Sequence, residues 1–287
     1  MLVMPSLADL EVSVSPRDEP LCYPGSSPGH SFLWFDSWVY QVTSTPRSGL
    51  DDWRLALDGG PLGSTSPRVR APADRRGERL AAVLRAAGVA GLTERYPVLA
   101  YGSNAAPAQL LDKFGWLEPR QRVVPVTIGQ LEGFALAHSA HVSNPGYLPY
   151  VLVDGGAGAA LEVRVLWLDG RQLAALNETE PNYTLMPVNA AAYPLTLESG
   201  EAVPRYSAYR GSRGALRWPG EAGPAPAATQ QDTHGRLARS VWFAGLVGRV
   251  DVPAQVQLLR QDKSLRDRVR DELAARGMAV ADGWIES

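Results

Sequence analysis

Two short segments of the chain combine residue types that could do chemistry. The first is Tyr101-Gly102-Ser103-Asn104-Ala105, which follows an apolar run and precedes Pro107. Glycine lets a ligand approach the backbone closely, and successive amides ahead of a helix form a concavity that binds anions. We therefore expect a loop suited to a carboxylate or to a developing oxyanion, with a tight structural turn as the alternative.

The second segment, Leu176-Asn177-Glu178-Thr179-Glu180-Pro181, supplies carboxylates. A proline disfavours helical backbone at the residue before it, so a helix that arrives here should end and leave Glu180 at its edge. A glutamate at the end of a helix is usually only solvated. It becomes a candidate general base if the fold brings it to the first segment.

Other kinds of site receive little support from the sequence. The single cysteine, Cys22, excludes an intramolecular disulfide and a cysteine-rich zinc site. His138 and His141 end a strand-like run with no third ligand nearby, so we expect no metal site, and His141 is instead a candidate for substrate contact. The glycines of 156–158 are not followed by the helix that a dinucleotide-binding loop needs, so a hairpin turn is the better interpretation.

The composition favours a soluble protein. The formal net charge is -2, and no basic stripe is interleaved with aromatic residues, so we expect neither nucleic acid nor a membrane as a partner. No apolar run approaches the ~18 residues of a membrane span. Asp9 and Glu11 follow the start of the chain closely, which is atypical of a signal peptide, and a cytoplasmic location is the default expectation.

Hydrophobic periodicity predicts the elements that would position the two segments. Apolar residues at helical spacing predict helices over 77–88, from Asp169 to about Glu178, and from about Pro253 to Arg276. Pro107 suits the first turn of a further short helix. Apolar runs predict strands at 96–101, 123–128, 150–153, 161–168, 188–197 and 205–210, and residues 217–235 read as a loop.

Many strands with scattered short helices favour an α+β fold, in which a small mixed β-barrel with peripheral helices is one way to close the sheet edges. We expect an irregular N-terminal extension over 1–76, a main domain over 77–250, and a C-terminal helix and tail over 251–287. The aromatic residues of 32–40 should pack on the main domain, with an exposed patch for a partner as the alternative.

In order and spacing, the two segments resemble the γ-glutamylcyclotransferase-like family. That family has Tyr-Gly-Ser-Asn at the end of a strand, then an apolar strand before Gly/Asp-Phe, a Val-rich strand, a short helix, a Leu-Asp-x-x-Glu type segment and a tyrosine. The corresponding residues here are 101–104, 123–128 with 133–134, 163–168, 176–180 and Tyr183, within a resemblance that covers about 96–210. The chain departs from the pattern at Ala105, Asn177 and Pro181, where leucine, aspartate and glycine are usual.

The resemblance implies an enzyme without metal or organic cofactor that acts on a small γ-glutamyl amine or peptide. In that family the α-amine of the glutamyl group attacks its own γ-carbonyl and releases 5-oxoproline and a free amine. The resemblance gives Glu180 the catalytic role, with Glu178 as the competitor if the helical register shifts. It gives substrate-binding roles to Tyr101, Gly102, Ser103, Asn104, Ala105 and Tyr183.

Two alternatives remain open at this point. One is a catalytically silent binding or scaffold module of the same fold. The other is removal of a γ-glutamyl protecting group from a biosynthetic intermediate, for which a larger and more open pocket near 217–235 is expected.

Overall fold

The structure is a computed structural model that describes residues 14–36, 38–56, 63–64 and 77–286. Strands and helices alternate irregularly along the chain, which confirms the predicted α+β class. The described strands are β1 Phe32–Phe35, β2 Trp38–Thr43, β3 Arg54–Leu55, β4 Gly63–Ser64, β5 Tyr96–Ala100, β6 Val123–Glu132, β7 Phe134–His138, β8 Tyr150–Asp154, β9 Ala160–Leu168, β10 Tyr183–Pro187, β11 Leu195–Leu197, β12 Ser207–Gly211, β13 Ala215–Leu216 and β14 Ala279–Val280. The described helices are α1 Leu80–Ala87, α2 Pro107–Phe114, α3 Gly170–Glu178, α4 Gln230–Ala238, α5 Val241–Val247, α6 Val252–Gln261 and α7 Lys263–Ala275.

The main sheet is open, which corrects the predicted barrel. Its strands follow the order β10-β12-β5-β9-β6-β1-β2-β3, so within the described residues the path has two ends and does not close. The β12–β5 pair is parallel and its neighbours are antiparallel, so the sheet is mixed as predicted.

The sheet stays open because strands from the N-terminal residues extend it. β1 pairs with the first half of β6, with Phe32 opposite Val126, and β2 pairs in turn with β1. On this edge of β6, β1 occupies Val123–Val126 and β11 pairs with Gly129–Leu131, while β9 pairs along the opposite edge. In this position the first three residues of Phe32–Phe35 are buried and Phe35 is partly buried.

Both faces of the main sheet are buried, and β9 shows how the sequence produces this. Side chains alternate between the two faces of a strand. Val163 and Val165 belong to the apolar cluster on one face, and Leu166 and Leu168 belong to the cluster on the other face. α2 and α3 cover the second face through Leu110 and Leu176 among other residues.

β6 and β9 continue as a long antiparallel ribbon into β7 and β8. Phe134 pairs with Asp154 after Glu132 has paired with Ala160, so residues 155–159 are extra residues on one side of the ribbon. The glycines of 156–158 therefore lie in a bulge between two sheets, and the predicted hairpin turn is wrong. The loop that connects β7 to β8, residues 139–149, lies at the candidate site described below and is called the ribbon loop.

The predicted helix ends agree with the structure where capping residues define them. α1 ends at Gly88, whose left-handed backbone (φ 67°) suits glycine. α3 begins at Asp169, whose carboxylate accepts the amides of Arg171 and Gln172. α2 begins at Pro107. These ends follow from local chemistry, so a single sequence is sufficient to predict them.

Three predicted elements are wrong. Only Leu195–Leu197 of the predicted 188–197 strand is a strand, because the side chain of Asn189 accepts the amides of Ala191 and Ala192 in a turn. The predicted C-terminal helix is two helices, since Asp262 interrupts it and caps the second by accepting the amide of Leu265. The predicted 217–235 loop contains the start of α4, which Thr229 caps.

The C-terminal helices form a cluster of their own. α4 to α7 surround a separate apolar core that also takes in Leu148 of the ribbon loop and Trp218. No helix in the described part of the chain has the length and apolar character needed to cross a membrane.

Candidate functional site

A cavity of about 400 Å³ opens where the two chemically promising segments meet. Its walls come from the N-terminal residues, the loop after β5, α2, the ribbon loop, the residues after α3, and β12. Six of the ten tyrosines of the chain line it: Tyr23, Tyr101, Tyr147, Tyr150, Tyr183 and Tyr209. None of its lining residues belongs to 217–235.

The loop after β5 forms one wall of the cavity. Residues 103–105 make a single 3₁₀ turn in which the amides of Ala105 and Ala106 bond to Gly102 and Ser103. The amides of Ser103 and Asn104 have no backbone acceptor among the described residues. Two adjacent amides without a backbone acceptor in the described part of the chain, beside a cavity, are an arrangement suited to an anionic oxygen.

Glu180 lines the same cavity and contacts this loop directly. Its Oε1 accepts hydrogen bonds from Asn104 Nδ2 at 3.0 Å and from Lys113 Nζ at 2.5 Å. The side chains of Lys113 and Glu180 are only 8% and 15% exposed. Oε1 of Glu180 thus acts as an acceptor for both an amide and an ammonium, and accepting a proton is what a general base must do.

The end of α3 sets the position of Glu180. The helix ends at Glu178, as Pro181 predicts, and Thr179 closes the last turn by donating its hydroxyl to the carbonyl of Leu176 at 2.7 Å. The amide of Glu180 donates to Asn177 and its carbonyl accepts from Tyr183, so the backbone is held on both sides. Glu178 is exposed and does not line the cavity, so the two candidate glutamates occupy different environments.

Tyrosine hydroxyls connect the walls of the cavity. Tyr101 donates to the carbonyl of Tyr209, Tyr209 donates to Asn177 Oδ1 at 2.7 Å, and Tyr183 donates to the carbonyl of Tyr150 at 2.9 Å. Burial raises the pKa values of Tyr101 and Tyr183 well above the usual range, and the negative charge of Glu180 adds to both shifts. These hydroxyls therefore stay protonated and act as donors.

Residues of the N-terminal segment close one side of the cavity. Tyr23 stacks on Tyr147 with ring centroids 4.2 Å apart, and its hydroxyl accepts the amide of Tyr150 at 2.8 Å. Ser15 Oγ donates to Asp112 Oδ2 of α2 at 2.6 Å, and Arg17 lines the cavity as well. The N-terminal residues are thus part of the candidate site.

His141 lies in the cavity wall as a neutral side chain. A 2.7 Å hydrogen bond joins its Nδ1 to Ser139 Oγ, and both residues are buried. Burial lowers the pKa of His141 to about 3, and the positive charges of Arg213 and Arg270 act in the same direction. His141 therefore carries no charge near neutral pH, and its ring packs edge-on against Tyr183.

The structure brings together most of the residues that the sequence indicated. Tyr101, Gly102, Ser103, Asn104, Glu180 and Tyr183 all line the cavity. Ala105 does not line it and packs against the apolar cluster on the α2 and α3 face of the main sheet, and its contact with substrate stays a prediction.

Sequence reasoning missed the contribution of α2. Gln109, Asp112 and Lys113 line the cavity at positions i, i+3 and i+4, which share one face of a helix. The signal was present, because polar residues recur at this spacing directly after the loop segment. Among the described residues, no group of three or more His, Cys, Asp or Glu side chains lies together as a metal site would require.

Comparisons with known proteins give distant structural similarity only. No protein family matches the chain, and no curated protein matches it significantly. A solved γ-glutamyl cyclotransferase is 12% identical with a TM-score of 0.35, over 62% of this chain and 99% of its own length. An uncharacterized protein from Homo sapiens is 14% identical with a TM-score of 0.31, over 68% of this chain and 93% of its own. A protein from Arabidopsis thaliana is 18% identical with a TM-score of 0.29 over 41% of this chain, which spans 62% of that protein's length. Values this low assign neither family nor activity, so the chemistry of the cavity rests on its own residues.

Proposed function

We propose that the protein is a cofactor-free enzyme that cleaves a γ-glutamyl amine or peptide by intramolecular attack, releasing 5-oxoproline and a free amine. One observation supports this above the others: the cavity is lined by the carboxylate of Glu180 and by Ser103 and Asn104, whose amides have no backbone acceptor among the described residues. A base and an anion-stabilising backbone are the two groups that this reaction requires.

The reaction begins with a proton transfer. The α-ammonium of a γ-glutamyl group cannot attack while it is protonated, and Glu180 accepts a proton from it as general base. The freed amine then attacks the γ-carbonyl carbon of the same molecule and closes a five-membered ring. Because both reacting groups belong to one substrate, holding the glutamyl chain folded supplies much of the acceleration.

The loop after β5 stabilises the intermediate. Negative charge develops on the γ-carbonyl oxygen, and the amides of Ser103 and Asn104 are the donors available for it. The protonated Glu180 then gives its proton to the nitrogen of the leaving amine, and the C–N bond breaks. The ring nitrogen loses its second proton, which the released amine takes up. The base is regenerated, so no external reagent is consumed.

The tyrosine-lined walls suit a substrate that is small and partly apolar. The cavity of about 400 Å³ falls within the range of small-molecule sites, and aromatic faces pack against apolar parts of a ligand. Tyr101 and Tyr183 are tied to neighbouring carbonyls, which gives the pocket fixed walls.

The test compares the protein with Glu180→Gln on a panel of γ-glutamyl amines and peptides, with 5-oxoproline measured by mass spectrometry. Loss of the general base should lower kcat by about 10²–10⁴-fold. Glu178→Gln is the matched control, because Glu178 carries the same side chain two residues earlier and is exposed outside the cavity. It should retain full activity.

The proposal fails if the folded wild-type protein forms no 5-oxoproline from any member of the panel. In that case the cavity belongs to a binding module. Equal losses in the Glu178→Gln and Glu180→Gln proteins would instead remove the assignment of Glu180 as the base.

A further inference from the structure

The ion pair between Lys113 and Glu180 has a feature that general base catalysis does not explain. Lys113 Nζ and Asn104 Nδ2 both donate to Oε1 of Glu180, so neither of them occupies Oε2. The ammonium of Lys113 has three N–H donors, of which this contact uses one. The cavity therefore contains a cation and an anion side by side, each with hydrogen-bonding capacity beyond the pair.

The low exposure of both side chains makes this ion pair costly to form. Taking two charges out of water carries a penalty that their mutual attraction often fails to offset. Here the pair lines a cavity rather than filling the core, with side chains 8% and 15% exposed. A ligand that carries both signs of charge on neighbouring groups would satisfy both side chains at once.

We propose that Lys113 binds the α-carboxylate of the substrate while Glu180 accepts its α-ammonium, so that the site selects an amino-acid head group with both groups unblocked. The inference rests on the proposed function, and it narrows the substrate class to γ-glutamyl compounds with a free α-carboxylate. Lys113 is then a specificity-determining residue on α2.

A lysine rather than an arginine at position 113 suits the binding of an incoming carboxylate. The chain has only two lysines among 28 basic residues, Lys113 and Lys263. A compact ammonium on a flexible stem can move between two anionic partners, whereas the planar fork of arginine favours one fixed bidentate geometry. Lys113 can therefore turn from Glu180 towards an incoming carboxylate, which then becomes its anionic partner.

The experiment uses paired substrates and matched lysine variants. Each γ-glutamyl amine is supplied with a free α-carboxylate and as the α-carboxamide, which keeps the α-ammonium and removes the negative charge. Wild type, Lys113→Met and Lys263→Met are compared by kcat/KM, and Lys263 is the control because its side chain is 80% exposed on α7. Lys113→Gln is a second neutral variant that can still donate a hydrogen bond to Glu180, in case Lys113→Met does not fold.

Wild type and Lys263→Met should prefer the free carboxylate by about 10–100-fold, the equivalent of a hydrogen bond to a charged group. Lys113→Met and Lys113→Gln should lose that preference, because kcat/KM should fall about 10–100-fold further for the free carboxylate than for the α-carboxamide. The proposal is overturned if the Lys113 variants lower kcat/KM for both substrates by the same factor, because Lys113 would then act only through Glu180. It is also overturned if the preference survives in these variants, which would place the carboxylate elsewhere, for example at Arg17.

A binding measurement separates this inference from the proposed reaction. L-norleucine has the same head group without a γ-carbonyl, and calorimetry compares it with its α-amide on the same four proteins. Preferential binding of L-norleucine that depends on Lys113, without any 5-oxoproline from the panel, would refute the reaction and support the head-group site. Equal binding of the two compounds by wild type would overturn the head-group site whatever the activity.

Discussion

Replacing Gly102 by alanine measures how tightly the N-terminal segment closes against the loop after β5. A Cβ atom at this position would lie 2.5 Å from the hydroxyl oxygen of Tyr23, and the next atom, Tyr23 Cζ, would be 3.5 Å away. The backbone of Gly102 has φ -128°, outside the left-handed region, so the collision with a single oxygen is the main local effect. Gly102→Ala therefore probes one contact between two distant parts of the sequence.

Tyr23 has little room to yield. Its ring stacks on Tyr147, and its hydroxyl is fixed by the amide of Tyr150 at 2.8 Å. Overpacking of this kind lowers the free energy of unfolding by about 1–3 kcal/mol. Tyr23→Phe alone removes the acceptor of the Tyr150 amide and should lower it by about 1 kcal/mol. With the hydroxyl gone, the added Cβ meets its nearest atom at an ordinary contact distance, so Gly102→Ala should then cost close to nothing.

Urea denaturation of wild type, both single variants and the double variant gives the coupling free energy directly. We expect a coupling of about 1–3 kcal/mol, with the double variant close in stability to Tyr23→Phe. Gly170→Ala is the control, because a Cβ at the first residue of α3 meets no atom within 4 Å. If Gly102→Ala costs the same with and without the Tyr23 hydroxyl, the N-terminal segment does not close on the loop as described.

Two further predictions concern stability and the position of the base. His141 is neutral in the folded protein, with its pKa lowered to about 3, whereas the unfolded chain takes up a proton near pH 6.5, so stability rises with pH between these values. Lowering the pH from 6.5 to 5 should therefore reduce the free energy of unfolding by about 2 kcal/mol through this group, and His141→Gln should flatten that dependence in urea titrations at several pH values. Asp169→Ala removes the cap of α3 and should lower the free energy of unfolding by about 1 kcal/mol, whereas Asp169→Asn should retain most of it; equal losses in calorimetric melts of the two variants would contradict the capping role.

The local parts of the structure could be predicted because local chemistry determines them. Backbone conformation and capping predict helix ends at Gly88, Asp169 and Pro107, and the structure has a helix end at each of them. The apolar residues within 161–168 predict a strand, and the structure shows a strand there with buried residues on both faces. These features depend on neighbours within a few residues, which one sequence displays.

The wider arrangement could not be predicted because it depends on pairing between distant segments. Nothing in the aromatic run Phe32–Phe35 shows that it pairs with Val123–Val126, and this pairing is what keeps the sheet open. Lys113 and Glu180 are 67 residues apart in sequence, and their contact likewise depends on how α2 packs beside α3. The turn at Asn189 was missed for a different reason, since the apolar residues around it gave a strand-like pattern that a side-chain hydrogen bond overrides.

The length of α3 explains how two segments about 80 residues apart become one site. β9 runs antiparallel to β5, with Leu168 opposite Tyr96 and Arg164 opposite Ala100, so the chain leaves β9 at the end of β5 that is far from the loop. The nine residues of α3, at about 1.5 Å per residue, extend roughly 13 Å, close to the length of the five residues of β5 at about 3.3 Å per step. The helix packs back along this face of the sheet and ends level with the loop, where Glu180 meets Asn104. The spacing between the Val-rich strand and the glutamate therefore matters because it matches a helix to a strand, and a helix one turn longer would place the carboxylate about 5 Å past the loop amides.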